Sequence, residues 1–113
     1  MVSPQTLHVL VVDNDEPACA ATSEVLESLG FRAVCETKSL KALGVFSDDP
    51  DKFDLAVIEP AMPDITGVEL AVRLRRIRPG FPVVFYAGYF DERSPEGIEA
   101  AGLGRLDGSS RNR

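Results

Sequence analysis

Two apolar runs in this 113-residue chain each end on an acid. The first, residues 7–12, closes at Asp13-Asn14-Asp15-Glu16, and the second, residues 53–58, closes at Glu59. Runs of this length and apolar content read as buried strands. Pro60 and Pro63 follow Glu59, so the second strand cannot continue its ladder and the chain leaves in a loop. Carboxylates at the C-terminal ends of parallel strands lie where an open α/β sheet places its ligand. Asp13, Asn14, Asp15 and Glu59 are therefore read as one acidic pocket. An acid in that place stands where such a sheet positions its ligand or its chemistry.

Little else in the chain competes as a reactive centre. His8 stands alone, without a metal or catalytic partner in sequence. Cys19 and Cys35 match no metal or redox spacing and read as two reduced thiols of a cytoplasmic protein. Arg73, Arg75, Arg76 and Arg78 read as the solvated end of a helix, favoured there by the helix dipole. A net charge of -6 gives no global electrostatic case for nucleic-acid binding. No apolar run approaches the ~20 residues of a membrane span, and the first residues lack the pattern of a signal peptide.

The elements that must position these residues alternate. After the first strand, Asp15 suits a helix N-cap and Pro17 a first helical turn. Ala18, Ala21, Thr22, Val25 and Leu29 recur at helical spacing, and Gly30 is the expected stop. Residues 31–35 read as a second strand. Thr37 is the cap of a second helix carrying Leu40, Leu43 and Phe46, weakened by Gly44 at ~1 kcal/mol against Ala. A third helix follows Thr66-Gly67, with Leu70, Leu74 and Ile77 inward, and ends at Arg78-Pro79-Gly80. Residues 82–86 read as a fourth strand, 92–101 as a fourth helix and 103–106 as a short fifth strand. This βαβαβαβα(β) order implies one parallel sheet with right-handed crossovers. The chain is read as one domain over residues 1–106 with a polar tail, 107–113.

The stretch from Phe53 to Gly67, with Met62-Pro63 and Gly67-Val68-Glu69-Leu70 after the acid, resembles the receiver domain of two-component response regulators. The first strand with its acids and Ala100-Ala101-Gly102 support the same likeness. The resemblance implies a flavodoxin-like α/β fold, strand order 2-1-3-4-5, with helices on both faces. It also implies phosphoryl transfer from a histidine kinase to an Asp at the end of the third strand, assisted by Mg²⁺. Here Glu59 occupies that phosphoacceptor position, Asn14 the place of an acidic metal ligand, Ala87 that of a switch hydroxyl and Leu106 that of a switch aromatic. The expected Lys falls near Ser109, and no Lys follows Lys52.

The expectation is accordingly a degenerate receiver, a pseudo-receiver rather than an enzyme. Glu59 is read as a tolerated remnant, as a mimic of phosphorylated Asp, or as part of a ligand site. The module would act by protein contacts with a histidine kinase or downstream regulator, with no nucleic acid or membrane partner. No cofactor is required, and Asp13, Asn14 and Glu59 form at most a weak Mg²⁺ site. The alternative is a single-domain response regulator with weak Mg²⁺-dependent phosphoacceptor activity. The family's closing helix is missing from the reading, which would leave an apolar sheet face open to a partner or a second copy. A flavodoxin-like cofactor binder is disfavoured, because no Gly-rich phosphate loop follows the first strand.

Overall fold

The computed structural model describes residues 6–85. Seven elements follow in order: β1 (His8–Val12), α1 (Glu16–Ser28), β2 (Arg32–Glu36), α2 (Ser39–Asp48), β3 (Leu55–Ile58), α3 (Gly67–Ile77) and β4 (Val83–Phe85). All strand pairs are parallel, and the sheet order is β2-β1-β3-β4. The expected order is thus present for the four described strands. The expected fourth helix, fifth strand and tail, and the expectation about the closing helix, fall outside the described residues.

Alternation along β1 sorts the core into two layers. Leu10 and Val12 face α2 and α3, joining Ala42, Phe46, Phe53, Ala56, Ile58, Leu70, Ala71, Leu74, Phe81 and Val83 in the larger cluster. Val9 and Val11 face α1 and meet Cys19, with Leu26, Leu55 and Val57 packed alongside. Phe46 lies at the centre of the larger layer, its ring 6.3 Å from that of Phe53 and 4.7 Å from that of Phe81.

One helix turns away from its expected face, and a second departs from its own at one residue. In α1 the buried residue is Cys19, while Val25 and Leu29 are 58% and 67% exposed. The inner stripe therefore runs through Cys19 and Leu26, one helical step from the predicted one. In α2, Phe46 is buried and Leu43 packs against the same cluster, as expected, while Ala42 joins them and Leu40 is exposed. Its N-cap is Lys38 rather than Thr37. α3 follows its pattern more closely: Leu70 and Leu74 are buried, and Thr66 caps the helix by accepting from the Glu69 N–H at 3.1 Å. Ile77, expected inward, is 40% exposed. Gly30 ends the α1 turn at φ 100°, a conformation that L side chains rarely adopt.

The expectation of two reduced thiols is overturned. Cys19 and Cys35 form a disulfide, with Cα atoms 6.0 Å apart, well within bridging range. A sequence separation of 16 hides this proximity. The β1–α1–β2 crossover folds α1 back over β2, so tertiary geometry and not sequence spacing brings the sulfurs together.

Candidate functional site

Parallel pairing sets the site. Val12 is in register with Ile58, and the Glu59 N–H donates to the Val12 carbonyl at 2.8 Å. The next residue on each strand is an acid, so Asp13 and Glu59 adjoin at the C-terminal edge of the two central strands. Both are buried, at 2% and 3% exposure. Asn14 and Asp15 are exposed. Asp15 occupies the N-cap position of α1 with extended backbone, but its side chain makes no capping bond. Its N–H instead donates to Asp13 Oδ1 at 3.0 Å, which fixes the Asp13 carboxylate within the loop.

Glu59 folds back on its own loop. Its Oε2 accepts from the Ala61 N–H at 2.9 Å. Its Oε1 is buried and has no hydrogen-bond partner. A carboxylate oxygen without a donor is costly in a buried setting, which marks this atom as the unresolved feature of the pocket. Among the described residues, no group of three or more His, Cys, Asp or Glu side chains is arranged to hold a metal. Ala87, Leu106 and Ser109 lie outside the described residues.

The loop carrying Glu59 is held from three sides. Gly67, the first residue of α3, donates its N–H to the Pro60 carbonyl at 2.8 Å. A Cβ at that position would stand 2.5 Å from the Glu59 carbonyl oxygen, 2.8 Å from Ile58 Cγ2 and 2.8 Å from Pro60 Cα. Only glycine admits this approach. Further along, the Ser39 hydroxyl donates to the Ile65 carbonyl at 2.9 Å, and Asp64 Oδ2 accepts from the Leu40 N–H at 2.9 Å. Asp64 thereby caps α2 from another segment of the chain. Desolvation, the largest single influence on Asp64, raises its pKa. The N–H groups of Leu40, Ile65, Ser39 and Asp64 itself together outweigh that and hold the carboxyl below its ordinary value.

The sequence reading missed both Ser39 and Asp64. The partner of Asp64 lies 24 residues earlier in the chain. No local pattern announces such a cap. Asp54 accepts from the His8 N–H at 2.8 Å where β1 begins, the opposite end of the sheet from Glu59.

The arginines of α3 act mainly as tethers. Arg73 pairs with Glu69 at 2.9 Å, and Arg75 Nε donates to the Phe81 carbonyl at 2.9 Å. Arg78 donates to the carbonyls of Pro50 and Phe53 and stacks over the Phe81 ring. The Arg73 pair stays within α3, while the Arg75 and Arg78 contacts tie the end of the helix to the approaches of β3 and β4, a more specific role than a solvated helix end.

Comparison with known proteins follows the same lines. The family model for the response regulator receiver domain matches residues 9–106. Ethylene receptor 2 of Oryza sativa subsp. japonica is 27% identical over 103 residues, covering 88% of this chain and 14% of that protein. The autoinducer 1 sensor kinase/phosphatase LuxN of Vibrio harveyi is 27% identical over 106 residues, covering 94% of this chain and 12% of that protein. The chain thus spans less than a fifth of the length of either relative. A solved CheY-like receiver domain protein from Methanospirillum hungatei JF-1 superposes with a TM-score of 0.75 at 24% identity, covering 88% of this chain and 78% of that one. The strand order, the two acids at the ends of β1 and β3 and the extent of the match agree: this chain belongs to the response regulator receiver domain family.

Proposed function

We propose that this chain is a pseudo-receiver: a cytoplasmic signalling module of a two-component or phosphorelay pathway that works through protein contacts, not phosphotransfer. The observation that carries this reading is the state of Glu59. It is 3% exposed, and one of its oxygens is engaged by the Ala61 N–H. A nucleophile must reach the donor phosphorus in line, and a misplacement of ~1 Å can cost ~10²-fold in rate. The extra methylene of Glu, spent on folding back toward Ala61, works against that alignment. The kinase and receptor names among the relatives support a histidine kinase or downstream regulator as the partner. Self-association is the alternative contact, through the α1 side of β3 and β4 where Val84 is 48% exposed. A dimer mass in light scattering would favour it.

One observation favours a second reading. The unpartnered Glu59 Oε1 beside buried Asp13 fits a hard divalent cation. Asp13, Asn14 and Glu59 would hold Mg²⁺, which would offset charge on phosphoryl oxygens. The chain would then be a weak Mg²⁺-dependent phosphoacceptor. The test is incubation with a small-molecule phosphodonor and Mg²⁺, read by intact mass, with Glu59→Asp alongside. We expect the wild type to stay unmodified. A gain of one phosphoryl group by the variant alone would show that Glu59 is the block. Phosphorylation of the wild type would overturn the pseudo-receiver reading.

A further inference from the structure

Cys19 and Cys35 are the chain's two cysteines, and their surroundings are unequal. Cys19 is fully buried beneath α1 against Val9 and Val11. Cys35 is exposed on β2, the strand at the edge of the sheet. An incoming thiolate can therefore approach Cys35 and not Cys19.

The buried sulfur has acceptors waiting. Cys19 Sγ lies 3.6 Å from the Val11 carbonyl oxygen and 3.9 Å from that of Glu36. A disulfide sulfur carries no proton, so neither contact is a hydrogen bond in the closed form. A Cys19 thiol in the same place could donate to either carbonyl. A free cysteine also packs as a small apolar side chain. Opening the bridge thus leaves the buried Cys19 sulfur with hydrogen-bond acceptors in reach.

The pair is also wired to the acidic pocket. The Glu36 carbonyl, next to Cys35, accepts from the Asp13 N–H at 3.1 Å. On the other side, the Cys19 N–H donates to the Asp15 carbonyl at 2.9 Å. The bridge therefore clamps the first turn of α1 to the C-terminal end of β2, and the loop bearing Asp13 runs between the two anchors.

We propose that Cys19–Cys35 is a reversible thiol–disulfide exchange site served by a dithiol reductant, and that its closure holds Asp13 in the pocket. In the opening step, a thiolate of the reductant attacks Cys35 Sγ. The Cys19–Cys35 bond breaks, and Cys19 leaves with the electron pair and takes up a proton. The reductant's second thiol, deprotonated, then attacks its own sulfur in the mixed disulfide, releasing Cys35 as a thiolate that is protonated. The net change is one protein disulfide reduced to two thiols and one dithiol oxidised to its disulfide. Two electrons move, and the two protons released by the reductant balance those taken up by the protein.

The test uses the full chain equilibrated in buffers of graded reduced-to-oxidised glutathione ratio. Acid quenching, alkylation in denaturant and intact mass then count free thiols. We expect a transition between no and two alkylated cysteines within the glutathione range. Amide exchange at Asp13 should rise by roughly 10-fold or more on opening, as expected for loss of a local constraint. Cys35→Ser should show the faster exchange with or without reductant. A bridge closed at every ratio would make it a permanent staple, and one that never closes would make the cysteines plain thiols. Either result overturns the proposal, as does Asp13 exchange that is the same in the oxidised, reduced and Cys35→Ser proteins. The thiol count is independent of phosphodonor chemistry, so this test can fail while the pseudo-receiver reading stands, and the reverse.

Discussion

Gly67 and Gly44 both sit in helices, yet alanine should move stability in opposite directions at the two. At Gly67 an added methyl meets backbone atoms of Glu59 and Pro60 closer than 3.0 Å. Neither side of that contact is a flexible side-chain end, so the β3–α3 loop must shift. Gly67→Ala is expected to destabilise by about 1–3 kcal/mol, the usual cost of overpacking. At Gly44 an added methyl meets nothing within 4 Å. Gly44→Ala is expected to stabilise by about 0.5–1 kcal/mol, because helix propensity improves and the unfolded chain loses freedom. Urea unfolding of both variants checks the pair: a stabilised Gly67→Ala would contradict the packing seen there, and a destabilised Gly44→Ala the open space at that position. At the same scale, Glu59 joins one satisfied oxygen to one unsatisfied one, so the choice between a remnant acid and a ligand site turns on a single atom.

Helix α2 depends on a residue outside it. Lys38 occupies the N-cap position and makes no side-chain capping bond, while Asp64 supplies the missing acceptor to Leu40. Removing it by Asp64→Ala should cost about 0.5–1 kcal/mol, the lower half of the N-cap range, because the carboxylate faces solvent. Its folded pKa lies below the ordinary value. The stabilisation is therefore fully present above the unfolded carboxylate pKa of about 3.9 and is lost as pH falls through the lower folded value. Unfolding free energies of wild type and variant should differ at neutral pH and converge in strong acid. A difference that persists undiminished in acid would show that Asp64 acts by packing and not by charge. The same bond joins α2 to the loop that carries Glu59, so an element on one sheet face reports on the geometry of the site.

Among the described residues, apolar burial is concentrated on the α2–α3 side of the sheet. Three buried aromatic rings, Phe46, Phe53 and Phe81, meet there from α2, the approach to β3 and the approach to β4. Phe46→Ala is expected to destabilise by about 3–5 kcal/mol. A domain of this size commonly has only 5–15 kcal/mol in total, so the variant should unfold at much lower denaturant or fail to fold. A loss below about 1 kcal/mol would mean that Phe46 is not the keystone of that layer. Among the described residues the α1 side is thinner: Val9, Val11 and Cys19 form its buried cluster. There the Cys19–Cys35 bridge adds a covalent tie where apolar packing is sparse.

The sequence alone determined the alternation of strands and helices, the parallel sheet and the two acids at strand ends. These are local or periodic properties: apolar runs bounded by Asp13 and Glu59, a cap at Thr66, stops at Gly30 and Gly80. The family likeness was legible for the same reason, since Met62-Pro63 and Gly67 stand at fixed offsets from Glu59. What only tertiary structure decided depends on distance through space between residues far apart in the chain. The Cys19–Cys35 bond, the Asp64 cap on α2 and the arginine tethers of α3 all arise from how crossovers fold helices onto the sheet. Helix facing belongs to the same class. Val25, Leu29 and Leu40 fit a helical period, but a period fixes spacing and leaves rotation about the helix axis to the neighbours. The burial of Glu59, with one oxygen held and one bare, was likewise invisible in sequence, because it follows from Gly67 pressing α3 against the end of β3.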